Sequence, residues 1–411
     1  MKQSDLLPHL FRTEYSKIIA VLCNHFGIDY IEIAEDIVSD TFLTATELWG
    51  MKGIPENPTA WLYTVAKNKT RNYLKRHNLF EKKIINDLKN QPIDTGADID
   101  LSTTAIADSQ LAMIFTVCHP SVSKEAQIAL ALNLLCGFGV QEIADAFLTN
   151  RETIYKRLKR AKEKLREEQI LITPPSVQMV EERMDAVLTT LYLLFNEGYY
   201  SVSGHHPVKE ECCMEAMRLC YLLLENTLTA TPAANALMAL MCFHASRFEA
   251  RTSPEGENIL YEDQDTRLWN KELIEKGLFY LDHSASGNHI TKLHLEAGIA
   301  YWHTHPEDTR EKWEAILQLY NKLLMLEYAP VAALNRTYAL AKANGTEEAI
   351  IEAEKLQLTD NHFYFVLLGT LYSSKDPAKA RDLFLTAQQT AKSENDKLLI
   401  QKKLDELKDI R

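Results

Sequence analysis

The side chains with the most evident chemistry in this sequence are cations crowded into a short stretch. Residues 151–166 hold eight Lys or Arg against two Glu, a net charge of +6. Guanidinium and ammonium groups at that density neutralise phosphates, and Arg or Lys can also pair with the edge of a guanine. A second stretch, residues 67–83, holds seven Lys or Arg against one Glu, again +6. The whole 411-residue chain nevertheless carries −12, so the 378 residues outside these stretches carry −24. Charge divided so sharply predicts two local phosphate-binding surfaces on a protein otherwise repelled by nucleic acid.

Other reactive side chains are sparse. Cys118-His119 offers two adjacent metal ligands without further partners, and His205, His206, Cys212 and Cys213 lie close enough in sequence for a metal site. Neither set has the spacing of a zinc site, and no metal or cofactor is expected. Residues 177–290 show no nucleophile–base pairing and no phosphate loop, so no catalysis is expected there. Seven cysteines form no Cys-x-x-Cys pair and make an odd count, which predicts a reducing, cytoplasmic setting. The N-terminus lacks the apolar run of a signal peptide, and no stretch reaches the roughly 18 apolar residues of a membrane span.

Helices must position the cations. Ile154, Leu158, Ala161 and Leu165 recur at i, i+4, i+7 and i+11, one apolar stripe on an otherwise basic helix. Thr149 and Glu152 have the Thr-x-x-Glu spacing of a capping box, which predicts the helix start. Upstream, Val140–Leu148 reads as a shorter helix with Ile143, Ala144 and Phe147 inward. Helix, tight polar turn and basic helix form the helix-turn-helix plan, whose second helix enters the DNA major groove.

The first basic stretch lies on a helix from Pro58 through Arg76, capped by Asn57, with proline at the first helical position where its missing N–H costs nothing. Leu62, Val65, Ala66, Tyr73 and Trp61 are expected inward. Lys67, Asn68, Arg71, Lys75 and Arg76 are expected outward, and aromatic rings beside such a groove suit unstacked bases. Before it, residues 4–26 read as a helix burying Phe11, Tyr15, Ile18, Ile19 and Leu22. Residues 33–49 follow as an acidic helix with Ile33, Ile37, Leu48 and Trp49 inward, and Glu32, Glu35, Asp36, Asp40 and Glu47 suit a basic protein partner.

Three ordered blocks now resemble a known family. Glu35-Asp36-Ile37-Val38-Ser39-Asp40-Thr41-Phe42, Pro58-x-Ala60-Trp61-Leu62-x-Thr64-x-Ala66-x-Asn68, and Thr153-Ile154-x-x-Arg157-Leu158-x-Arg160-Ala161-x-x-x-Leu165 are similar to regions 2 and 4 of bacterial extracytoplasmic-function sigma factors. The resemblance implies that Glu35, Asp36 and Asp40 dock the β′ clamp helices of core RNA polymerase. It implies that Asn57, Trp61, Lys67, Asn68, Arg71, Lys75 and Arg76 engage the −10 element of promoter DNA. Arg151, Thr153, Tyr155, Lys156 and Arg160 would read the −35 element, beside a contact to the β flap. Asn72 stands where many relatives carry an acidic residue.

The expected organisation is all-α. Residues 1–80 form a region 2 bundle, 81–110 a linker and 111–172 a helix-turn-helix domain. Within the linker, residues 84–110 hold five Asp against one Lys. Thr173-Pro174-Pro175-Ser176 breaks the chain before a helical domain at 177–290 and helical repeats at 291–411. Ala297-Gly298-x-x-Tyr301, Leu334-Asn335-x-x-Tyr338 and Leu368-Gly369-x-x-Tyr372 recur at spacings of 37 and 34 residues. The last copy, with Phe365, Ala380, Phe384 and Ala387, resembles a tetratricopeptide repeat, and three copies imply stacked helical hairpins forming an α-solenoid with a concave surface for a protein or small-molecule ligand.

Between the break and the repeats, Asn196-Glu197-Gly198-Tyr199 reads as a turn. Glu215 with Arg218, His244 with Arg247 and Arg251, and the run Glu262 to Trp269 form polar clusters that suit a buried hydrogen-bond network or a small-molecule pocket. This wording resembles the C-terminal extension of the ECF42 sigma-factor subgroup. The expectation is therefore an alternative sigma factor with a built-in helical regulator. The rival is an operator-binding helix-turn-helix regulator with a repeat-type sensor.

Overall fold

The computed structural model describes residues 3–85, 99–147, 149–200, 207–253 and 259–407. These are helical throughout, with no strand among the described residues, so the all-α expectation holds. The chain forms two compact units that divide between Ala230 and Thr231. The division runs inside the segment 177–290 that reads as one domain in the sequence.

The first unit opens with α1 (Gln3–Phe26), α2 (Ile31–Lys52) and α3 (Pro58–Ile85), packed on one another. Residues 18–23 of α1 are buried all round, because α1 contacts α2 and α3 and also α4 (Thr103–Val117). The inward register of α2 is Ile31, Ala34, Val38, Thr41, Phe42, Ala45 and Trp49. Ile33, Ile37 and Leu48 are only half-buried, so the apolar stripe is offset from the expected one. Helical spacing counted from Ile31 collects small and apolar residues at every inward step, and the offset register would place Glu32 and Glu35 differently. Asn57 caps α3 as expected, its Oδ1 accepting from the Ala60 N–H at 3.0 Å.

Helix α4 starts at Thr103, after Ser102, whose Oγ accepts from the Ala105 N–H at 3.2 Å. It therefore begins within the stretch read as a linker, and residues 86–98 lie outside the described residues. Helix α5 (Lys124–Leu130) runs on into a π-helical turn, Ala131–Leu135. That turn ends at Gly137, whose φ of +71° would strain a side-chain-bearing residue. Helices α6 (Val140–Ala146) and α7 (Arg151–Glu167) follow. Helices α8 (Val177–Tyr200) and α9 (Pro207–Glu225) complete the unit as a hairpin. Asn196 to Tyr199 are helical rather than a turn: Gly198 is tolerated because Phe195 and Tyr199 stack at 5.7 Å on the same helix face. Arg218 on α9 pairs with Glu215 at 2.8 Å and donates to the Leu135 carbonyl at 3.1 Å, capping the π turn.

The second unit is a succession of hairpins. Helices α10 (Pro232–Ala245) and α11 (Lys271–Ser284) pack together, then α12 (Lys292–Trp302) with α13 (Arg310–Leu326), α14 (Pro330–Asn344) with α15 (Thr346–Leu356), and α16 (His362–Tyr372) with α17 (Pro377–Thr390). Helix α18 (Glu394–Glu406) covers the last pair with Ile400 and Leu404. Glycines allow close approach within two of the repeat hairpins: Gly298 faces Leu319, and Gly369 faces the buried ring of Phe384. Asn335, their counterpart in the middle copy, is exposed. The repeated tyrosines reach back to the preceding hairpin. Tyr301 meets Phe243 at 5.8 Å, Tyr338 meets Trp313 at 5.4 Å, and the Tyr372 hydroxyl donates to Glu354 at 2.8 Å.

A Cβ at Gly369 would lie 2.7 Å from a ring carbon of Phe384, which is 1% exposed and has no room to move. Gly369→Ala is expected to destabilise the second unit by about 1–3 kcal/mol. Gly50, on an open face of α2, meets nothing within 4 Å, and Gly50→Ala is expected to stabilise by about 0.5–1 kcal/mol. Denaturant melts of the two variants check the opposite signs.

Candidate nucleic-acid interface

Helix α7 carries the clearest cationic surface. Ile154, Leu158, Ala161 and Leu165 are buried, the stripe expected from the spacing. The cap differs: Asn150, not Thr149, stands at the helix start, and its Oδ1 accepts from the Thr153 N–H at 2.8 Å and the Thr153 hydroxyl at 2.9 Å. Thr149 instead turns its own N–H to the Ala144 carbonyl, closing the tight turn after α6. Ile143 and Ala144 of α6 are buried, and Phe147 is half-buried with the Arg157 guanidinium 5.8 Å from its ring.

Arg151, Thr153, Tyr155, Lys156 and Arg160 are all exposed along the outer side of α7, and Tyr155 is 57% exposed. Lys156 is held by Glu152 at 2.6 Å, a solvent-side pair that a phosphate can displace at little cost. The cations at the other end of α7 behave differently. Lys162 is buried, and its Nζ donates to both carboxylate oxygens of Glu35 on α2 at 2.7 Å. Arg166 pairs with Glu32, one turn earlier on α2. Reading α7 as basic on every side but one misses this, because Lys162 sits beside Ala161 on the inward edge. The matching signal was present: Glu32 and Glu35 are three apart and Lys162 and Arg166 four apart, both single helical turns.

On the first bundle, Asn57, Asn68, Arg71, Lys75 and Arg76 are exposed, and Trp61 and Lys67 are half-buried. Trp61 packs edge-on against Trp49 at 5.4 Å. Tyr63 is buried, and its hydroxyl donates at 2.9 Å to Glu14, which also holds Lys17 at 3.0 Å. Burial and the Glu14 charge push the Tyr63 phenol upward. Among the acidic residues, Asp36 and Asp40 are exposed, Asp40 pairs with Lys69 of α3, and Glu35 is occupied by Lys162. The structure thus puts an acidic face and a basic face on one three-helix bundle.

The remaining candidates do not assemble into a metal site. His119 is tied into its own turn, its Nδ1 accepting from the Ser121 N–H at 3.2 Å, and Cys118 is buried with its thiol pushed up by burial to about 12. Cys212 and Cys213 are buried on α9, while His205 and His206 lie outside the described residues. No group of three or more metal-binding side chains occurs among the described residues.

With this geometry in place, the comparisons are informative. Residues 10–79, which span nearly all of α1 through α3, match sigma-70 region 2. The chain carries a sigma-70 region 2. Residues 183–285, from within α8 to the end of α11, match a family of unknown function (DUF6596). An uncharacterized protein of Rhizobium meliloti (strain 1021) is 32% identical over 385 residues, which is 92% of this chain and 90% of that protein. No solved structure matches the chain. No helix among the described residues is long and apolar enough to cross a membrane.

In the second unit, Arg247 joins a buried cluster around Tyr261, whereas Glu262, Asp263 and Arg267 are exposed. Lys312, 3% exposed, donates to the Tyr261 hydroxyl at 2.9 Å and to the His305 carbonyl at 2.6 Å. The Arg247 guanidinium stands 5.3 Å from the same Tyr261 ring, and His303 packs edge-on against it at 5.0 Å. Burial lowers His303 to about 3, with Arg247 and Lys312 adding to the effect, and burial likewise holds His244 well below its usual range. Both imidazoles are neutral in the fold, whereas an unfolded chain protonates them near pH 6.5. The unfolded state therefore binds more protons below that pH, and stability falls on acidification from about pH 6.5 toward 3, by up to about 1.4 kcal/mol per pH unit per histidine. His303→Leu is expected to flatten part of this slope, which calorimetric melting between pH 7 and pH 5 measures.

Proposed function

We propose that this chain is an alternative sigma factor of the extracytoplasmic-function type, which directs core RNA polymerase to −35/−10 promoters and helps open them. The carrying observation is the sigma-70 region 2 match laid over a bundle with acidic α2 on one side and basic α3 on the other. One small bundle with faces of opposite sign suits two partners of opposite sign, a cationic protein surface and DNA.

In this reading Glu35, Asp36 and Asp40 dock the β′ clamp helices. Asn57, Trp61, Lys67, Asn68, Arg71, Lys75 and Arg76 engage the −10 element, with Trp61 offering a ring to an unstacked base. Helix α7 acts as region 4 and reads the −35 element through Arg151, Thr153, Tyr155, Lys156 and Arg160, with a further contact to the β flap. Their exposure along one side of a capped helix supports this assignment. The hairpins of the second unit form a tetratricopeptide-type stack, as in the ECF42 subgroup, and serve as a regulatory surface for a protein or small-molecule ligand. Glycine contacts within two hairpins and tyrosine contacts between hairpins support the repeat reading.

Transcription in vitro with core polymerase on a −35/−10 template tests the proposal. Promoter-specific transcripts are expected, and operator binding without any transcript would favour a polymerase-independent regulator. Asp36→Lys combined with Asp40→Lys is expected to weaken core polymerase binding at least about tenfold, since like charges then meet across the interface. Arg160→Ala is expected to cost about 1–3 kcal/mol of promoter binding while leaving core binding intact, read by gel-shift with the holoenzyme.

A further inference from the structure

The first unit places the acidic face of α2 against the reading helix α7, and this arrangement excludes the task assigned to both. Lys162 Nζ lies 2.7 Å from each Glu35 carboxylate oxygen, and the two side chains are 9% and 19% exposed. Arg166 holds Glu32 next to it. Near the middle of α1, the Arg12 guanidinium bridges Glu142 of α6 at 2.7 Å and Glu211 of α9 at 3.3 Å, and it stacks 4.6 Å over the Phe138 ring. In the last turn of α1, Asn24 donates to Ser109 of α4 at 3.1 Å. The first bundle is thus pinned to the helix-turn-helix lobe at three places, and the α8–α9 hairpin joins the pin through Glu211.

Elements named for positions −35 and −10 lie about 25 base pairs apart, roughly 85 Å along straight B-DNA at ~3.4 Å per base pair. Helices α2 and α7 are in direct contact. The −10 residues of α3, on the same bundle as α2, and the −35 residues of α7 cannot lie on both elements together until the two lobes part.

From this we infer that the first unit is a self-masked state, in which Lys162 and Arg166 occupy Glu35 and Glu32, the N-terminal part of the acidic docking face of α2, in place of the polymerase, and the α8–α9 hairpin fastens the closure through Glu211 and Arg12. The inference rests on the polymerase-docking role proposed for α2. An intramolecular cation has a high effective concentration, so it competes well with an external one. Polymerase must pull α2 away from α7, and its apparent affinity is reduced by the fraction of chains that stay closed. The cation pair is spared from reading DNA, because Lys162 and Arg166 lie beyond the exposed half of α7.

A reversible covalent closure tests this in the full-length chain. Asn24→Cys with Ser109→Cys places two thiols where the side chains already touch, away from α2 and from the outer side of α7. All seven native cysteines are buried, so oxidation is expected to join the introduced pair. The disulfide is expected to form readily in the free chain, to weaken core polymerase binding at least about tenfold, and to release it on reduction. Lys162→Gln with Arg166→Gln, which loosens the mask without touching α2, is expected to bind core polymerase more tightly than the parent chain. Failure of the disulfide to form, or equal polymerase binding by oxidised and reduced chains, overturns the inference and leaves the sigma-factor reading standing. If neither the reduced chain nor the loosened variant binds polymerase, the docking role of α2 falls, and the inference falls with it.

Discussion

The pair between Lys162 and Glu35 is the contact on which the arrangement of the first unit depends. Removing two opposite charges from water costs several kcal/mol per ion, and the attraction offsets that only when the geometry is close and the hydrogen bonds are complete. Here one ammonium reaches both carboxylate oxygens at 2.7 Å. Cys23, fully buried nearby, has its thiol pushed up by burial and by Glu35. Loss of either partner would leave an uncompensated buried charge at a cost of about 3–5 kcal/mol. Such a pair adds little net stability but discriminates strongly among alternative packings, because only one register of α7 on α2 satisfies both Glu35 and Glu32.

That pairing also divides the charge of α7 by position. Cations in its first half lie mostly in solvent, where Lys156 is held only by a solvent-side pair with Glu152 and Arg157 leans on Phe147. Those at Lys162 and Arg166 are spent on α2. A net charge of +6 over residues 151–166 therefore overstates what the helix presents outward. The acidic helix is divided in the same way. Glu35 is engaged with the neighbouring lobe, whereas Asp36 and Asp40 remain exposed, so the face that can meet a partner at once is the one nearer the C-terminal end of α2.

Local signals were legible in the sequence and tertiary ones were not. The stripe of α7 survives intact because four apolar residues at helical spacing leave a single inward face. Its cap moved by one residue because Thr149 and Asn150 are both good caps, and the backbone turn at Ala144 decided between them. On α2 the spacing admitted two stripes, and the burial of Ile31 against the bundle selected the one that includes Ala34 and Thr41. Asn196 to Tyr199 read as a turn because Asn and Gly favour turns. Burial of Phe195 and Tyr199 on one face outweighed that preference. Of the candidate site residues, exposure at Arg151, Tyr155, Arg160, Arg71 and Arg76 followed from the patterns. The engagement of Glu35 did not, since the helical spacing of Glu32 with Glu35 and of Lys162 with Arg166 marks two faces but not their pairing across 127 positions.

The second unit shows how a weak repeat becomes a stable stack. Two of the three repeat hairpins bury a glycine contact of their own, but the repeated tyrosines make their contacts one hairpin back: Tyr301 on Phe243, Tyr338 on Trp313 and Tyr372 on Glu354. In a stack coupled only between neighbours, stability is a sum of hairpin and interface contributions. Placing the recurring tyrosine at the interface weights that sum toward the interfaces. A hairpin that frays exposes a ring belonging to the next one, and the stack is driven to open as a whole. The cluster around Tyr261 reinforces this, because Lys312 from α13 ties the irregular segment after α10 to the start of the repeats through the Tyr261 hydroxyl and the His305 carbonyl. Burial keeps His303 neutral beside it, so no imidazolium charge adds to that of the lysine inside the fold.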